Sequence, residues 1–98
     1  MYKLFYTKQA LSDLDKLKAA NISQKAKVLV ELIRENPYQN PPRYEKLVGK
    51  LDGILSRRSN IQHRLVYQAY ESPFMENGIE YRGIIKILRM WTHYDDVR

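Results

Sequence analysis

The side chains of this sequence that could act on a substrate are one carboxylate, three guanidiniums, two imidazoles and a phenol. They are Glu45, Arg57, Arg58, His63, Arg64, His93 and Tyr94. Each also has an ordinary structural role open to it, since arginines often line strand edges and a lone histidine is more often structural than catalytic. Together they form a set that could cleave RNA without a metal ion.

Cleavage of RNA by internal transfer needs three kinds of group. The ribose 2′-OH loses a proton as its oxygen attacks the adjacent phosphorus, negative charge builds on the phosphoryl oxygens, and the departing 5′-oxygen takes up a proton. A carboxylate can accept the first proton, guanidiniums can hold the phosphoryl oxygens, and an imidazolium can donate the last proton. An aromatic ring beside them can stack on an unpaired base. Because the nucleophile is the 2′-OH, this chemistry selects RNA over DNA.

Composition excludes several other classes of protein. The 98 residues, 44% hydrophobic and 29% charged, fit one globular domain over residues 1–98. The absence of cysteine excludes disulfide scaffolds and thiolate chemistry, and two histidines without clustered carboxylates argue against a zinc site. We therefore expect no metal and no cofactor. No apolar run is long enough for a membrane span or a signal core, so a cytoplasmic protein without membrane contact is expected.

The net charge of +6 is concentrated in the middle of the chain. Residues 41–70 hold six basic and two acidic side chains (6 − 2 = +4), whereas residues 71–98 hold four basic and five acidic ones (4 − 5 = −1). A local surplus of Lys and Arg attracts phosphate, so a polyanionic partner is expected near the middle segment. Its basic residues are Arg43, Lys46, Lys50, Arg57, Arg58 and Arg64.

Two helices are predicted after a short strand at residues 2–7. Thr7 can cap the first helix, over residues 8–20, and Ser23 can cap a second that ends near residue 36. The short link between them predicts an antiparallel helical hairpin packed on one face of a sheet. The apolar stripes expected to face that sheet are Ala10, Leu11, Leu14 and Leu17, then Ile22, Ala26, Leu29, Val30 and Ile33.

A proline-rich, irregular connector at residues 36–43 leads to Glu45 and then to an antiparallel meander. Asn77-Gly78 predicts a hairpin turn, within a connection at residues 71–79 that we expect to project from the domain. Gly83 suggests a bulge in the last strand, and the apolar run after it predicts a central strand buried on both faces. The three strands are predicted at residues 54–58, 63–70 and 79–91, which gives the order β-α-α-β-β-β.

The motifs of this chain closely resemble those of the YoeB (Txe/YoeB) branch of RelE-type bacterial toxins, within the RelE/ParE superfamily. They are Ser56-Arg57-Arg58, His63-Arg64-Leu65-Val66-Tyr67 and the late His93-Tyr94. The resemblance implies a RelE-like α+β fold and a toxin that cleaves mRNA in the ribosomal A site, which inhibits translation. It also implies a YefM-like antitoxin, pairing of the toxin with itself, and binding of operator DNA through the antitoxin complex.

Matched position by position, the resemblance implies Glu45 as the general base and Arg64 as the arginine that stabilises the phosphorane. It implies His93 as the general acid, Tyr94 as a contact to the leaving nucleoside, and Arg58 as a second phosphate-facing arginine.

The other residues near these motifs have simpler expected roles. Of the basic residues, we expect Arg57, Lys46, Arg43 and Lys50 to add to RNA binding. His63 is expected to be structural, hydrogen-bonded at a strand end. Trp91 is expected to belong to the core, with stacking on a base as the alternative.

Two other functions stay open at this stage. A ParE-like inhibitor could share the fold and bind DNA gyrase without catalysing a reaction. A basic domain could also bind RNA without cleaving it. Fold alone does not separate these functions, because one fold carries many of them.

Overall fold

Two helices and seven strands form the part of the chain that the computed structural model describes, which is residues 1–47, 53–58 and 63–91. The predicted small α+β class, with both helices after the first strand, is confirmed. In chain order the elements are β1 (Lys3–Tyr6), α1 (Lys8–Ala19), α2 (Ser23–Glu35), β2 (Tyr44–Lys46), β3 (Leu55–Arg58), β4 (Arg64–Tyr70), β5 (Phe74–Glu76), β6 (Ile79–Tyr81) and β7 (Ile84–Arg89).

The strands form a five-stranded sheet, in the order β1-β7-β4-β3-β2, and a separate pair, β5 and β6. Neighbours in the large sheet are antiparallel except that β1 runs parallel to β7. The predicted antiparallel sheet is therefore wrong at this edge. The β1–β7 pairing joins the two ends of the chain, and no local pattern in either strand specifies its direction.

The first helix packs on the large sheet through a stripe that differs by one position from the prediction. Thr7 caps the helix as predicted, since its Oγ1 accepts a hydrogen bond from the backbone N–H of Ala10 at 3.0 Å. Ala10, Asp13 and Leu17 are buried, whereas Leu11, expected in the stripe, is 50% exposed. A charged residue thus occupies a position on the buried face of α1.

The second helix shares one hydrophobic core with α1 and the sheet, as the predicted hairpin requires. It begins at Ser23 itself and no side chain caps it, so the Ser23 cap is wrong. Ile22 is 37% exposed and does not belong to the buried stripe. Among the described residues, neither helix is long and apolar enough to span a membrane. The stripe residues confirmed as buried are Ala26, Leu29, Val30 and Ile33.

The predicted last strand is interrupted at Gly83. A Cβ on Gly83 would lie 1.9 Å from the carbonyl oxygen of Tyr70, so the close approach of these two segments admits only glycine. The expected bulge is instead a break between β6 and β7. Inside the sheet, β7 alternates, with Lys86 exposed between buried Ile85 and Ile87, so it is central as predicted but not buried on both faces.

The three shortest strands, β5, β6 and β2, form in different ways. Asn77 and Gly78 form the predicted tight turn with φ angles of 51° and 78°, but the turn joins β5 to β6 in their own two-stranded ribbon. The connection after β4 thus forms a unit apart from the large sheet. β2 was not predicted, because three residues after a run of prolines show no alternation of their own.

Candidate active site

Strand register places four of the polar residues on one face of the large sheet. Glu45 pairs with Ser56 across β2 and β3, and Arg58 pairs with Arg64 across β3 and β4. Paired residues share a face, as do residues two apart in a strand, so all four side chains point the same way. Of the intervening side chains of β3 and β4, Leu55, Leu65 and Tyr67 join the core with the helices. The four therefore lie on the face opposite the helices.

Arg64 is held at the centre of this group. Its Nε donates to Ser56 Oγ at 2.7 Å, and its Nη2 lies 3.1 Å from Glu45 Oε1. Ser56 is fully buried and the Arg64 side chain is 11% exposed, whereas the Glu45 side chain is 41% exposed. The arrangement fixes a guanidinium between two strands and leaves the carboxylate open to solvent.

A groove of about 410 Å³ opens over this pair, a size typical of small-ligand sites. Among the described residues that line it, three are arginines and one is a glutamate, which gives this part of its wall a net charge of +2 (3 − 1). The groove favours an anionic ligand for this reason. Its lining residues are Pro42, Arg43, Glu45, Arg58 and Arg64.

Arg57 does not reach this groove, contrary to the expectation that it binds RNA. It pairs in register with Tyr44 and Leu65, on the helix side of the sheet, and it is fully buried. Alternation along β3 turns one of two adjacent arginines inward and the other outward, and Arg58 is the exposed one. We therefore remove Arg57 from the RNA-binding set.

The buried Arg57 guanidinium ties the proline-rich connector to the sheet. It donates to the carbonyl oxygens of Pro37 at 3.1 Å, Gln39 at 2.7 Å and Pro42, and also to Tyr67 Oη at 2.9 Å. Burial raises the pKa of the Tyr67 phenol, which stays protonated and donates to the same Pro37 carbonyl at 2.7 Å. Arg57 thus fixes the connector that leads into β2. Pro42, which lines the groove, belongs to this connector.

Of the remaining residues predicted to bind phosphate, only some lie at the groove. Arg43 is exposed and lines the groove. Lys46 pairs with Leu55 and lines a different cavity, with Tyr38 and Ala69, so it does not join the groove. Lys50, His93 and Tyr94 lie outside the described residues, and their roles stay predictions.

A buried carboxylate that was not predicted lies at the end of β7. Asp13 Oδ2 accepts hydrogen bonds from Arg89 Nε at 2.8 Å and from the backbone N–H of Met90 at 2.9 Å, and Gln9 donates to Oδ1 at 3.2 Å. Burial alone would raise the pKa of Asp13, but these hydrogen bonds outweigh it and lower the pKa below its ordinary value. The sequence signal was present: Asp13 follows Ala10 by three residues and precedes Leu17 by four, which places it on the apolar stripe.

His63 and Trp91 form an aromatic stack beside the groove residues. His63 is buried immediately before β4, and its ring stacks on that of Trp91 with centroids 4.0 Å apart. Trp91 also packs against the hydrophobic core. Burial and stacking agree with a structural position for His63 and with the core position expected for Trp91, whereas the hydrogen bond expected of His63 stays a prediction. No group of three His, Asp or Glu side chains in the described part of the chain is arranged to hold a metal ion.

Comparison with known proteins identifies the family of this chain. A family model described as a YoeB-like toxin of bacterial type II toxin–antitoxin systems matches residues 6–94. That range includes Glu45, Arg58, Arg64, His93 and Tyr94. No curated protein sequence matches the chain.

Several solved structures have a similar fold. The YoeB/ParE toxin from Agrobacterium tumefaciens is 23% identical, over 94% of this chain and 99% of that one, with a TM-score of 0.77. The YoeB–YefM complex from Staphylococcus aureus is 28% identical, over 96% and 99%, with a TM-score of 0.69. The YoeB dimer from the same organism is 27% identical, over 95% and 98%, with a TM-score of 0.71. These proteins match the chain over nearly its whole length.

Proposed function

Because the chain belongs to the family of YoeB-like toxins of bacterial type II toxin–antitoxin systems, we propose that it is a ribosome-dependent endoribonuclease. It enters the ribosomal A site, in the cytoplasm, and cleaves mRNA there, which stops translation. The observation that supports this most is the Glu45–Arg64 pair, 3.1 Å apart in an arginine-lined groove. A potential base and a phosphate ligand are thus adjacent and reachable.

Substrate binding begins with the scissile phosphate. Its oxygens compete with Glu45 for the guanidinium of Arg64, and Arg58 supplies a second positive charge from the same groove. Release from Arg64 leaves the Glu45 carboxylate able to accept a proton. The resting ion pair therefore keeps both groups in place until a phosphate separates them.

The reaction then proceeds by attack of the 2′-oxygen on phosphorus. Glu45 takes the 2′-OH proton, the bond between the 2′-oxygen and phosphorus forms, and Arg64 stabilises the charge on the phosphoryl oxygens. The bond from phosphorus to the 5′-oxygen breaks, and His93 protonates that oxygen while Tyr94 contacts the leaving nucleoside. The products are a 2′,3′-cyclic phosphate and a 5′-hydroxyl end.

The ribosome contributes orientation to this reaction. The Glu45 side chain at the groove is 41% exposed, so the described walls do not enclose a flexible RNA strand. Holding the mRNA codon in a fixed geometry can supply a large part of the rate, because orientation lowers the entropic cost of the transition state. Free RNA is accordingly expected to be a poor substrate.

The partner that restrains the toxin is a YefM-like antitoxin. The Staphylococcus aureus relatives include a YoeB–YefM complex and a YoeB dimer. A groove with net positive charge is best neutralised by an acidic segment that folds on binding and covers Arg43, Arg58 and Arg64. Self-pairing of the toxin, and operator DNA binding through the antitoxin complex, are part of the same proposal.

Mapping mRNA ends on programmed ribosomes tests the proposed function. The unaltered protein should produce one cut at the A-site codon with a cyclic phosphate on the upstream fragment. His93→Gln should slow the cut strongly while the protein remains folded by circular dichroism. Intact mRNA together with inhibited DNA gyrase would contradict the nuclease and favour a ParE-like inhibitor.

A further inference from the structure

The chain leaves β7 at a point that two independent contacts hold in place. Arg89 Nη2 donates to the backbone carbonyl oxygen of Trp91 at 3.1 Å, while Arg89 Nε is bound to the buried carboxylate of Asp13. The Trp91 ring stacks on His63, which immediately precedes Arg64 in the chain. Helix α1, the end of β7 and the start of β4 are thereby joined by side chains.

Strand register places the end of β7, with Trp91 just after it, at the same end of the sheet as the groove. Arg89 pairs with Val66, and the strands are antiparallel, so β7 continues toward the end of β4 at which Arg64 lies. His93 follows Trp91 by two residues, and two residues span at most about 7 Å. The position of Trp91 thus limits where the proposed general acid can reach.

We propose that Asp13 is a positioning residue that acts through Arg89 to fix Trp91, and hence the point from which the chain leads on to His93. This inference rests on the proposed function, because it assigns a purpose to His93. Asp13 itself touches no substrate in this account. Its carboxylate holds a guanidinium in one orientation, and the planar fork of that guanidinium reaches both Asp13 and the Trp91 carbonyl.

Two variants disturb the contacts of Arg89 with Asp13 and the Trp91 carbonyl in different ways. Asp13→Asn keeps the shape of the side chain and removes the charge that orients Arg89. Arg89→Lys keeps a positive charge beside Asp13 but replaces a two-pronged donor with a single nitrogen, which cannot reproduce both contacts. The matched controls are Glu31→Gln and Arg34→Lys, because Glu31 and Arg34 form an ion pair 3.7 Å apart on α2, with side chains 69% and 36% exposed.

The measurement is single-turnover cleavage of A-site mRNA at saturating ribosome concentration, normalised to the folded fraction of each variant. Misplacing a catalytic group by about 1 Å can cost ~100-fold, so Asp13→Asn and Arg89→Lys should cut about 10- to 100-fold more slowly, with the half-saturating ribosome concentration nearly unchanged. The two controls should cut at the unaltered rate.

A second substrate separates positioning of the acid from a general structural role. In mRNA with a sulfur in place of the bridging 5′-oxygen, the leaving thiolate needs no proton, so a displaced acid no longer matters. Both variants, and His93→Gln, should regain most of the unaltered rate on this substrate. Equal slowing on both substrates, or unaltered rates on both, would overturn the positioning role. Failure of the unaltered protein to cut ribosome-bound mRNA would instead overturn the proposed function, and this inference with it.

Discussion

Two pairs of arginine and carboxylate in this molecule differ in how far they are removed from water. Asp13 is fully buried on α1, lies 2.8 Å from Arg89, and also accepts hydrogen bonds from Gln9 and the Met90 backbone. Glu45 lies 3.1 Å from Arg64 with its side chain 41% exposed, at the wall of an open groove.

The difference separates a pair that holds elements of the fold together from a pair that a ligand can reach. A buried carboxylate whose oxygens are all occupied can bind nothing else, and breaking its pair leaves an uncompensated charge. A carboxylate at a groove contributes little to stability and remains able to accept a proton. Changes to the buried pair should therefore lower the free energy of unfolding much more than changes to the open pair.

The largest effect is expected at the open pair and on activity. Glu45→Gln keeps the shape of the side chain but removes the proton acceptor, which should lower the rate of mRNA cleavage on ribosomes by about 10²- to 10⁴-fold. The free energy of unfolding should change by less than about 1 kcal/mol, because the Glu45 side chain is 41% exposed and the amide oxygen of Gln can still accept a hydrogen bond from Arg64. Cleavage kinetics and urea unfolding of the same preparation check both parts. A near-normal rate would assign the base to another group.

The next effect is expected at the buried pair and on stability. Asp13→Ala leaves Arg89 and the Met90 N–H without their acceptor, and breaking a buried pair costs about 3–5 kcal/mol. We expect a loss near 3 kcal/mol, since Arg89 is 34% exposed and water can reach it. Urea unfolding measures this loss, with Glu45→Ala as the matched control. A smaller loss in Asp13→Ala than in Glu45→Ala would reverse the comparison.

The smallest effect is on the pH dependence of stability. The folded state lowers the pKa of Asp13 below the ordinary value of 3.8, so its contribution is present above that pH and is lost as the pH falls through the folded pKa. Asp13→Asn cannot titrate. The difference in unfolding free energy between the unaltered protein and Asp13→Asn should therefore shrink in acid. If this difference in unfolding free energy stays constant from neutral pH to below pH 3.8, the Asp13 charge does not stabilise the fold.

Much of the open site could be predicted from the sequence, because Arg58 and Arg64 belong to motifs and Glu45 follows the proline-rich connector that leads to it. Glu45, Arg58 and Arg64 were singled out, and the structure brings all three to one groove. Alternation along β3 could also have shown that Arg57 and Arg58 point to opposite faces. The carbonyl groups that accept hydrogen bonds from Arg57 belong to the connector, 15 to 20 residues away in sequence. No local sequence pattern predicts these contacts.

The buried pair could not be predicted in the same way. Asp13 and Arg89 are 76 residues apart, and their contact exists only once α1 packs on the sheet. An acidic residue on an apolar stripe indicates that some partner exists but does not say which one. The parallel β1–β7 pairing escaped prediction for the same reason, since both are contacts between the two ends of the chain.

The proposed mechanism requires the 2′-OH to be the nucleophile beside Glu45. The most direct measurement is cleavage of ribosome-bound mRNA that carries a single 2′-deoxy sugar on the 5′ side of the scissile phosphate. We expect this mRNA to remain intact while the all-ribose mRNA is cut to a cyclic phosphate and a 5′-hydroxyl end. Cutting of the deoxy substrate at the same position and rate would contradict the proposed mechanism.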